Sequence, residues 1–275
     1  VRIVDPLQCY LALSARAPAV YYRGLEGPLP EVDVALPRIG ASITEHGLAV
    51  VNQLDMMGVA LINSSQPIAR SRDKLRALQL LSRAGIDIPR TVMARHPSQL
   101  RRALEVVGGP PAILKLVRGT QGIGVILAET EQAVQQVLET FWSLGMNILL
   151  QEFIEESEGR DVRALVVGQR VVVAMRRQAR LGEFRSNVHR GATGVVVDLP
   201  RAYQQAALRA TRAMGLQVAG VDMLESGAGP KVVEVNSSPG FEGLERCSGQ
   251  DVAGAVIDYA VSFARRRQRR RKAVG

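Results

Sequence analysis

GVDMLESGAGPKVVEVNSSPGFEGL, residues 220–244, holds two short runs, VDMLE and KVVEVN, joined by Gly227, Ala228, Gly229 and Pro230. β-Branched runs about a Gly/Pro cluster predict a hairpin. Centring its turn on Ala228 places Asp222 opposite Glu234. Side chains alternate faces along a strand, so Glu234 and Asn236 share one face and Asp222 joins them from the neighbouring strand. Two carboxylates and an amide suit a hard cation such as Mg²⁺, which takes few protein oxygens and completes its shell with water and phosphate. The alternative is the solvated polar face of an ordinary hairpin. Ser237, Ser238, Pro239 and Gly240 follow as a tight polar turn whose backbone N–H groups could meet an anion.

The chain around this hairpin has 275 residues, 47% hydrophobic and 22% charged, enough for one large domain or two smaller ones. It has no apolar run of membrane-spanning length, and Asp5 and Pro6 interrupt the start where a signal peptide needs an apolar core, so the expected setting is the cytoplasm. Cys9 and Cys247 are too few for a disulfide framework or a thiolate metal site. Of the net charge of +9, seven charges belong to Arg265, Arg266, Arg267, Arg269, Arg270, Arg271 and Lys272, which leaves +2 on the body. The basicity therefore describes a tail: a solvated end, an RNA-binding arm or a dock for an acidic partner.

Before residue 67, VRIVD, DVALPRI and VALINS read as strands and Thr44 to Met57 as a helix, an α/β unit that begins abruptly on a strand. Asp73 caps a helix with Leu75, Leu78 and Leu81 on one stripe, stopped at Gly85, and residues 86–96 return to extended structure. Ser98 is read as the cap of the next helix, ended by Gly108 and Gly109. AILKLV and VILAE are strands, Thr130 to Leu144 a helix, and ILLQEFI a strand. RALVV and RVVVAMRR form a hairpin turning at Gly168 and Gln169. Pro200 opens a helix that Gly215 closes, and a last helix covers about Asp251 to Arg267.

Gly119, Gly122 and Gly124 lie between AILKLV and VILAE. This glycine loop leads from a strand into a strand, unlike a Walker loop or a Rossmann fingerprint, so it is either a plain turn or a flap over a nucleotide. Lys115, inside the apolar AILKLV, must snorkel or find an anion, and a phosphate near the loop would satisfy it. Glu152 and Asp161, in LLQEFIEESEGRD, could bond an adenine amino group and ribose hydroxyls, or belong to a charged surface loop. Arg185, Asn187, His189 and Arg190 make a donor cluster suited to phosphate or carboxylate, or a solvated basic loop. His46, His96 and His189 lack zinc-site spacing, and no Gly-x-Ser-x-Gly motif supports a catalytic triad.

SRDK at Lys74, LKLVRGTQGIGV at Lys115, QEFI at Glu152, FRSNVHRG from Phe184, GVDML at Asp222 and VVEVNSSPG at Glu234 together resemble the ATP-grasp ligases. PRIG at 37–40 and RSN at 185–187 narrow the likeness to the RimK type, which adds glutamate to a ribosomal protein. The resemblance implies an α+β fold: a pre-ATP-grasp α/β domain over 1–68, shortened by a strand and a helix, then an ATP-grasp domain over 69–265. Within the latter, about 73–150 would be the smaller lobe with its glycine flap and 151–265 the metal-binding lobe. Residues 266–275 remain a basic tail without an implied role.

Carried over by residue, Lys74 and Lys115 would bind ATP phosphates under Gly119, Gly122 and Gly124. Glu152 and Phe153 would lie at the adenine and Asp161 near the ribose. Arg185, Ser186 and Asn187 would line the reacting end, and Arg177 would contact the transferred phosphate or acyl phosphate. Asp222, Glu234 and Asn236 would hold Mg²⁺, or Mn²⁺, as two ions per site. The implied reaction is ATP-dependent joining of L-glutamate to the acidic C-terminal tail of a small-subunit ribosomal protein through an acyl phosphate. It would occur in a homo-oligomer, a tetramer, without membrane or direct nucleic-acid contact. Other readings are a ligase of the same fold acting on a carrier protein or a glutamyl-tailed cofactor, and a catalytically inactive ribosome- or RNA-binding protein.

Overall fold

The hairpin at 218–236 forms, by a route that differs from a turn centred on one residue. In the computed structural model, which describes residues 1–117, 124–180 and 193–274 and side chains through residue 269, β10 (Val218–Ser226) pairs antiparallel with β11 (Gly229–Asn236). Ser226 opposes Gly229, so the loop is the two residues Gly227 and Ala228, the shortest common hairpin connection. A bulge between Asp222 and Met223 then shifts the register by one: Met223 faces Val232 and Asp222 faces Glu234, with Val233 as the extra residue. The tight turn alone would set Asp222 one residue off, and the bulge restores the pair.

β10 is the second strand of a five-stranded antiparallel sheet ordered β11-β10-β7-β8-β9, completed by β7 (Arg160–Val167), β8 (Arg170–Gln178) and β9 (Thr193–Val196). One face is apolar over most of its area, with the Arg176–Glu225 ion pair at its end: Val162, Ala164, Val166, Ala219, Val221 and Met223 pack on Ala207, Ala210 and Met214 of α6 (Arg201–Met214) and on Ala77 and Leu81 of α3 (Lys74–Arg83). The opposite face is divided along the strands. Leu165, Val167, Val173, Met175 and Val218 pack under α7 (Glu242–Ser248) and α8 (Val252–Val274) through Leu244, Val252, Val256 and Ala260. Asp161, Arg163, Arg177 and Asp222 continue that face beyond the helices, as period-two alternation requires.

The smaller lobe is a four-stranded antiparallel sheet ordered β3-β6-β4-β5: β3 (Thr91–Met93), β4 (Ala112–Leu116), β5 (Val125–Ala128) and β6 (Ile148–Glu152). Ala112, Leu114, Ile148 and Leu150 pack on α4 (Leu100–Val107) and α5 (Glu131–Ser143). The cap expected at Ser98 belongs to His96: its Nδ1 accepts from the Ser98 backbone N–H across a 3-10 turn, Pro97–Gln99, that precedes α4. Proline at the first position of that turn moves the start back two residues.

The N-terminal strands also differ from expectation. VRIVD stays unpaired among the described residues, because Pro6 opens a 3-10 turn capped by Asp5 directly after it. DVALPRI and VALINS contribute a single parallel bridge, Ala35 to Leu61, about the expected helix α1 (Thr44–Met56). The pairing strands are instead β1 (Cys9–Ala12) and β2 (Ala19–Tyr22), where Val20 and Cys9 turn inward onto Val50 of α1. Asn63, 1% exposed, ties this domain to the large sheet: its Nδ2 donates to the carbonyls of Val218 (2.7 Å) and Ser237 (2.9 Å). Its Oδ1 accepts from the N–H groups of Gln217 (2.6 Å) and Val218 (3.0 Å). Four bonds from one buried amide of the N-terminal domain satisfy backbone groups of β10, the residue before it and the turn after β11. Among the described residues no helix is long and apolar enough to cross a membrane.

Candidate active site

Helix α2 (Ser65–Arg72) breaks at Asp73, whose carboxylate accepts from the Arg76 N–H at 3.0 Å and starts α3. The break puts Arg72 at the end of one helix and Lys74 at the start of the next. Glu234, exposed on β11, bears electrostatically on both of them and on Lys115 of β4. Lys115 pairs across to Leu149 and Val125, on the sheet face opposite Leu114 and away from α4 and α5. Burial pushes its ammonium down to about 8, with Glu234 opposing and Lys74 adding to the fall. Burial likewise lowers Lys74, again opposed by Glu234. The structure thus gathers Arg72, Lys74, Lys115 and Glu234 from four elements into one electrostatic cluster.

Behind Glu234 lies a buried ionic network. Arg163 Nε and Nη2 donate to Asp222 Oδ1 (2.7 Å) and Oδ2 (2.6 Å), and Arg177 reaches Asp222 Oδ2 at 3.1 Å. Arg177 also donates through Nε to Asp161 Oδ1 at 2.7 Å, and its Nη2 pairs with Asp161 Oδ2. Two arginines and two aspartates neutralise one another. Asp222 is fully buried, which alone would raise its carboxyl; the charges and hydrogen bonds of Arg163 and Arg177 hold it well below the ordinary range instead. Asp161 is raised by burial first and by Asp222 second, against the pull of Arg177. Asp161 and Asp222 hold the Arg177 guanidinium firmly charged despite its burial.

This network corrects two expected ligand contacts. Arg177 is 2% exposed and paired with Asp161 and Asp222, where a contact with the transferred phosphate was expected. Asp161, 7% exposed, is turned to Arg177 rather than to a ribose. Arg163, which completes the network, was not singled out from the sequence. Alternation about Gly168 and Gln169 was the available signal, since Arg163 shares a strand face with Asp161.

The remaining expected residues are placed as follows. Glu152, half-buried at the end of β6, accepts from the Arg90 backbone N–H (2.9 Å) and from Arg90 Nη2 (2.9 Å). Burial would raise its carboxyl, but these bonds and the Arg90 charge bring it below the usual range. Phe153 is half-buried beside it. Gly124 closes the β4–β5 connection at φ +75°, and a Cβ there would lie 2.6 Å from Leu116 Cδ1, so glycine is required. Gly119, Gly122, Arg185, Ser186 and Asn187, with His189 and Arg190, lie outside the described residues.

Asp222 and Glu234 face each other in register, with Asn236 two residues along the same strand. The donor set fits a divalent cation: Glu234 is exposed, Asn236 half-buried, and Asp222 Oδ1 accepts one hydrogen bond and keeps a second lone pair. Among the described residues no three His, Cys, Asp or Glu side chains converge on one point.

Glu234 of the hairpin thus stands with Lys115 from the second antiparallel sheet and with Lys74 at the start of α3. The RimK-like ATP-grasp domain matches residues 71–260 and the RimK PreATP-grasp domain residues 1–68. The chain belongs to the RimK-like ATP-grasp family. A probable alpha-L-glutamate ligase of Vibrio parahaemolyticus is 50% identical over 275 residues, all of this chain and 91% of the relative. A probable alpha-L-glutamate ligase 1 of Shewanella denitrificans is 52% identical over 259 residues, 94% of this chain and 87% of its own. Among solved structures, the ATP-grasp ligase PsnB complexed with minimal precursor, Mg and ADP superposes with TM-score 0.70 at 21% identity, over 95% of this chain and 87% of that one. A RimK domain ATP-grasp protein of Sphaerobacter thermophilus gives 0.66 at 25%, over 91% and 86%. The chain is an ATP-grasp ligase, an ATP-dependent enzyme joining an acid to an amino acid.

Proposed function

We propose that this RimK-like ligase uses ATP and Mg²⁺ to add L-glutamate to the acidic C-terminal tail of a small-subunit ribosomal protein, in the cytoplasm, through an acyl phosphate. The observation that carries this reading is the register of Asp222 on Glu234 with Lys74 and Lys115 gathered around Glu234. Asp222, Glu234 and Asn236 would hold Mg²⁺, or Mn²⁺, as one or two ions; when bound, the metal would offset phosphate charge during transfer. Lys74 and Lys115 would hold the phosphates, and Glu152 and Phe153 would border the adenine. Arg163 and Arg177 would fix the Asp222 carboxylate so that it needs no reorganisation. Arg185, Ser186 and Asn187 are assigned to the reacting end. A carboxylate oxygen of the acceptor attacks the γ-phosphorus, ADP leaves, and the glutamate amine then displaces phosphate from the acyl carbon. No enzyme nucleophile is required, in keeping with the lack of a nucleophile motif in the sequence.

Intact-mass spectrometry tests the substrate assignment. The acceptor protein, incubated with the enzyme, ATP, Mg²⁺ and glutamate, is expected to gain mass in steps of one glutamyl residue, and omission of any small molecule is expected to stop it. An unchanged acceptor, with ATP turnover elicited by a carrier protein or another amino acid, would transfer the reading to a different substrate.

Lys115 supplies a pH test. Its folded value of about 8 lies below the ordinary 10.5, so the ligand-free chain bears the cost of a buried cation below about pH 8. That cost is relieved as pH rises from there toward the unfolded value, so the penalty this group places on folding shrinks to nothing across that window. A nucleotide phosphate beside Lys115 reverses the shift. ADP binding without metal at pH 8 is therefore expected to take up roughly half a proton, read by calorimetry in buffers of contrasting ionisation heat. Zero uptake, or uptake retained in Lys115→Ala, would remove Lys115 from the phosphate site.

A further inference from the structure

The turn after β11 meets the N-terminal domain beside the metal hairpin. Arg38 Nη2 donates to the Pro239 carbonyl at 2.7 Å while its guanidinium lies 5.0 Å from the centre of the Phe241 ring. Asn63 holds the Ser237 carbonyl from the other side. Arg72 Nη2 is tied to the carbonyl of Ile39, next to Arg38 in sequence. Within this arrangement three buried polar atoms have no partner: Arg72 Nε, Ser237 Oγ and Ser238 Oγ. Ser237 as a whole is 5% exposed, so bulk water does not compensate it. No role assigned above uses these atoms.

A guanidinium Nε–H can only donate, and a serine hydroxyl donates when an acceptor is offered. Two hydroxyls and a side-on guanidinium edge, with Arg38 adding positive charge, call for an anion with acceptor oxygens. We propose that Arg72, Ser237 and Ser238 form a carboxylate-binding subsite for an amino-acid or peptide substrate, completed where the N-terminal domain meets the turn after β11. The choice of carboxylate over phosphate rests on the ligase reading, in which both reaction partners carry carboxylates and Lys74 and Lys115 take the phosphates. Arg38 is a positioning residue, holding the turn through Pro239.

The test is calorimetry on protein loaded with Mg²⁺ and ADP, titrated with L-glutamate, its α-amide, a short peptide ending in glutamates, and that peptide's C-terminal amide. In Ser237→Ala/Ser238→Ala, and separately in Arg72→Gln, one of the two free carboxylates is expected to bind at least tenfold more weakly. The matching amide should bind the variants and the wild type alike, and ADP affinity should be unchanged in the double serine variant. Loss confined to glutamate assigns the subsite to the incoming amino acid; loss confined to the peptide assigns it to the acceptor. Equal affinities in wild type and the double serine variant, or no binding of any of the four, would overturn the subsite. Serine-dependent binding without product formation would instead overturn the ligase reading and leave the subsite standing.

Discussion

Glu234→Gln is expected to reduce the ligation rate by about 10³-fold or more, as loss of a principal charge-stabilising group does, while leaving the fold intact. Glu234 is exposed on an edge strand and packs no core, so the stability change should stay within about 0.5 kcal/mol. The substitution also removes the anion that opposes Arg72, Lys74 and Lys115. Metal-free ADP should therefore bind as well as before or more tightly, whereas the enhancement of binding by Mg²⁺ should vanish. Steady-state rates and calorimetry with and without metal separate these effects. A folded variant turning over at the wild-type rate would contradict the assignment of Glu234 to the metal.

Arg177→Ala should have the largest effect on stability. It leaves Asp161 and Asp222 buried on one sheet face without their shared cation, and breaking a buried ion pair from one side costs about 3–5 kcal/mol. For a chain of this size that is a fall in Tm of roughly 6–20 °C. Combined with Asp161→Ala, the loss should be smaller than the sum of the single losses, because the second substitution removes a carboxylate that the first has orphaned. A drop under about 2 °C would show that the network is not what holds this part of the sheet. In variants kept folded at low temperature, an unchanged KM for ATP is expected if Arg177 acts through Asp222; a large rise in KM would restore the direct phosphate contact read from the sequence.

The parts of the site that period-two alternation governs were legible in the sequence. The β7–β8 turn at Gly168 and Gln169 follows from local patterning, and a turn centred on Ala228 gives the same Asp222–Glu234 register that the two-residue loop and the bulge at Val233 produce together. What escaped depends on partners distant in the chain. Arg177 and Asp161 read as ligand contacts because nothing in either strand alone reveals that they oppose each other, or that Arg163 closes on Asp222 across a third strand. The N-terminal strands were misassigned because VRIVD and VALINS have strand-like composition without adjacent strands to pair with, while Cys9–Ala12 finds one in Ala19–Tyr22. Asn63 and Arg72 gave no local signal; their importance arises only where the N-terminal domain meets β10 and the turn after β11.

In the proposed reaction this clamp of two lobes activates a carboxylate by phosphorylation before an amine attacks. An acceptor peptide labelled with ¹⁸O in its terminal carboxylate tests it directly. At a single addition per acceptor, ligation is expected to release one phosphate carrying one ¹⁸O, with none transferred in Glu234→Gln; further additions, which activate the carboxylate of unlabelled glutamate, release unlabelled phosphate. Unlabelled phosphate from the first addition would contradict the acyl phosphate, and with it the role given to the hairpin.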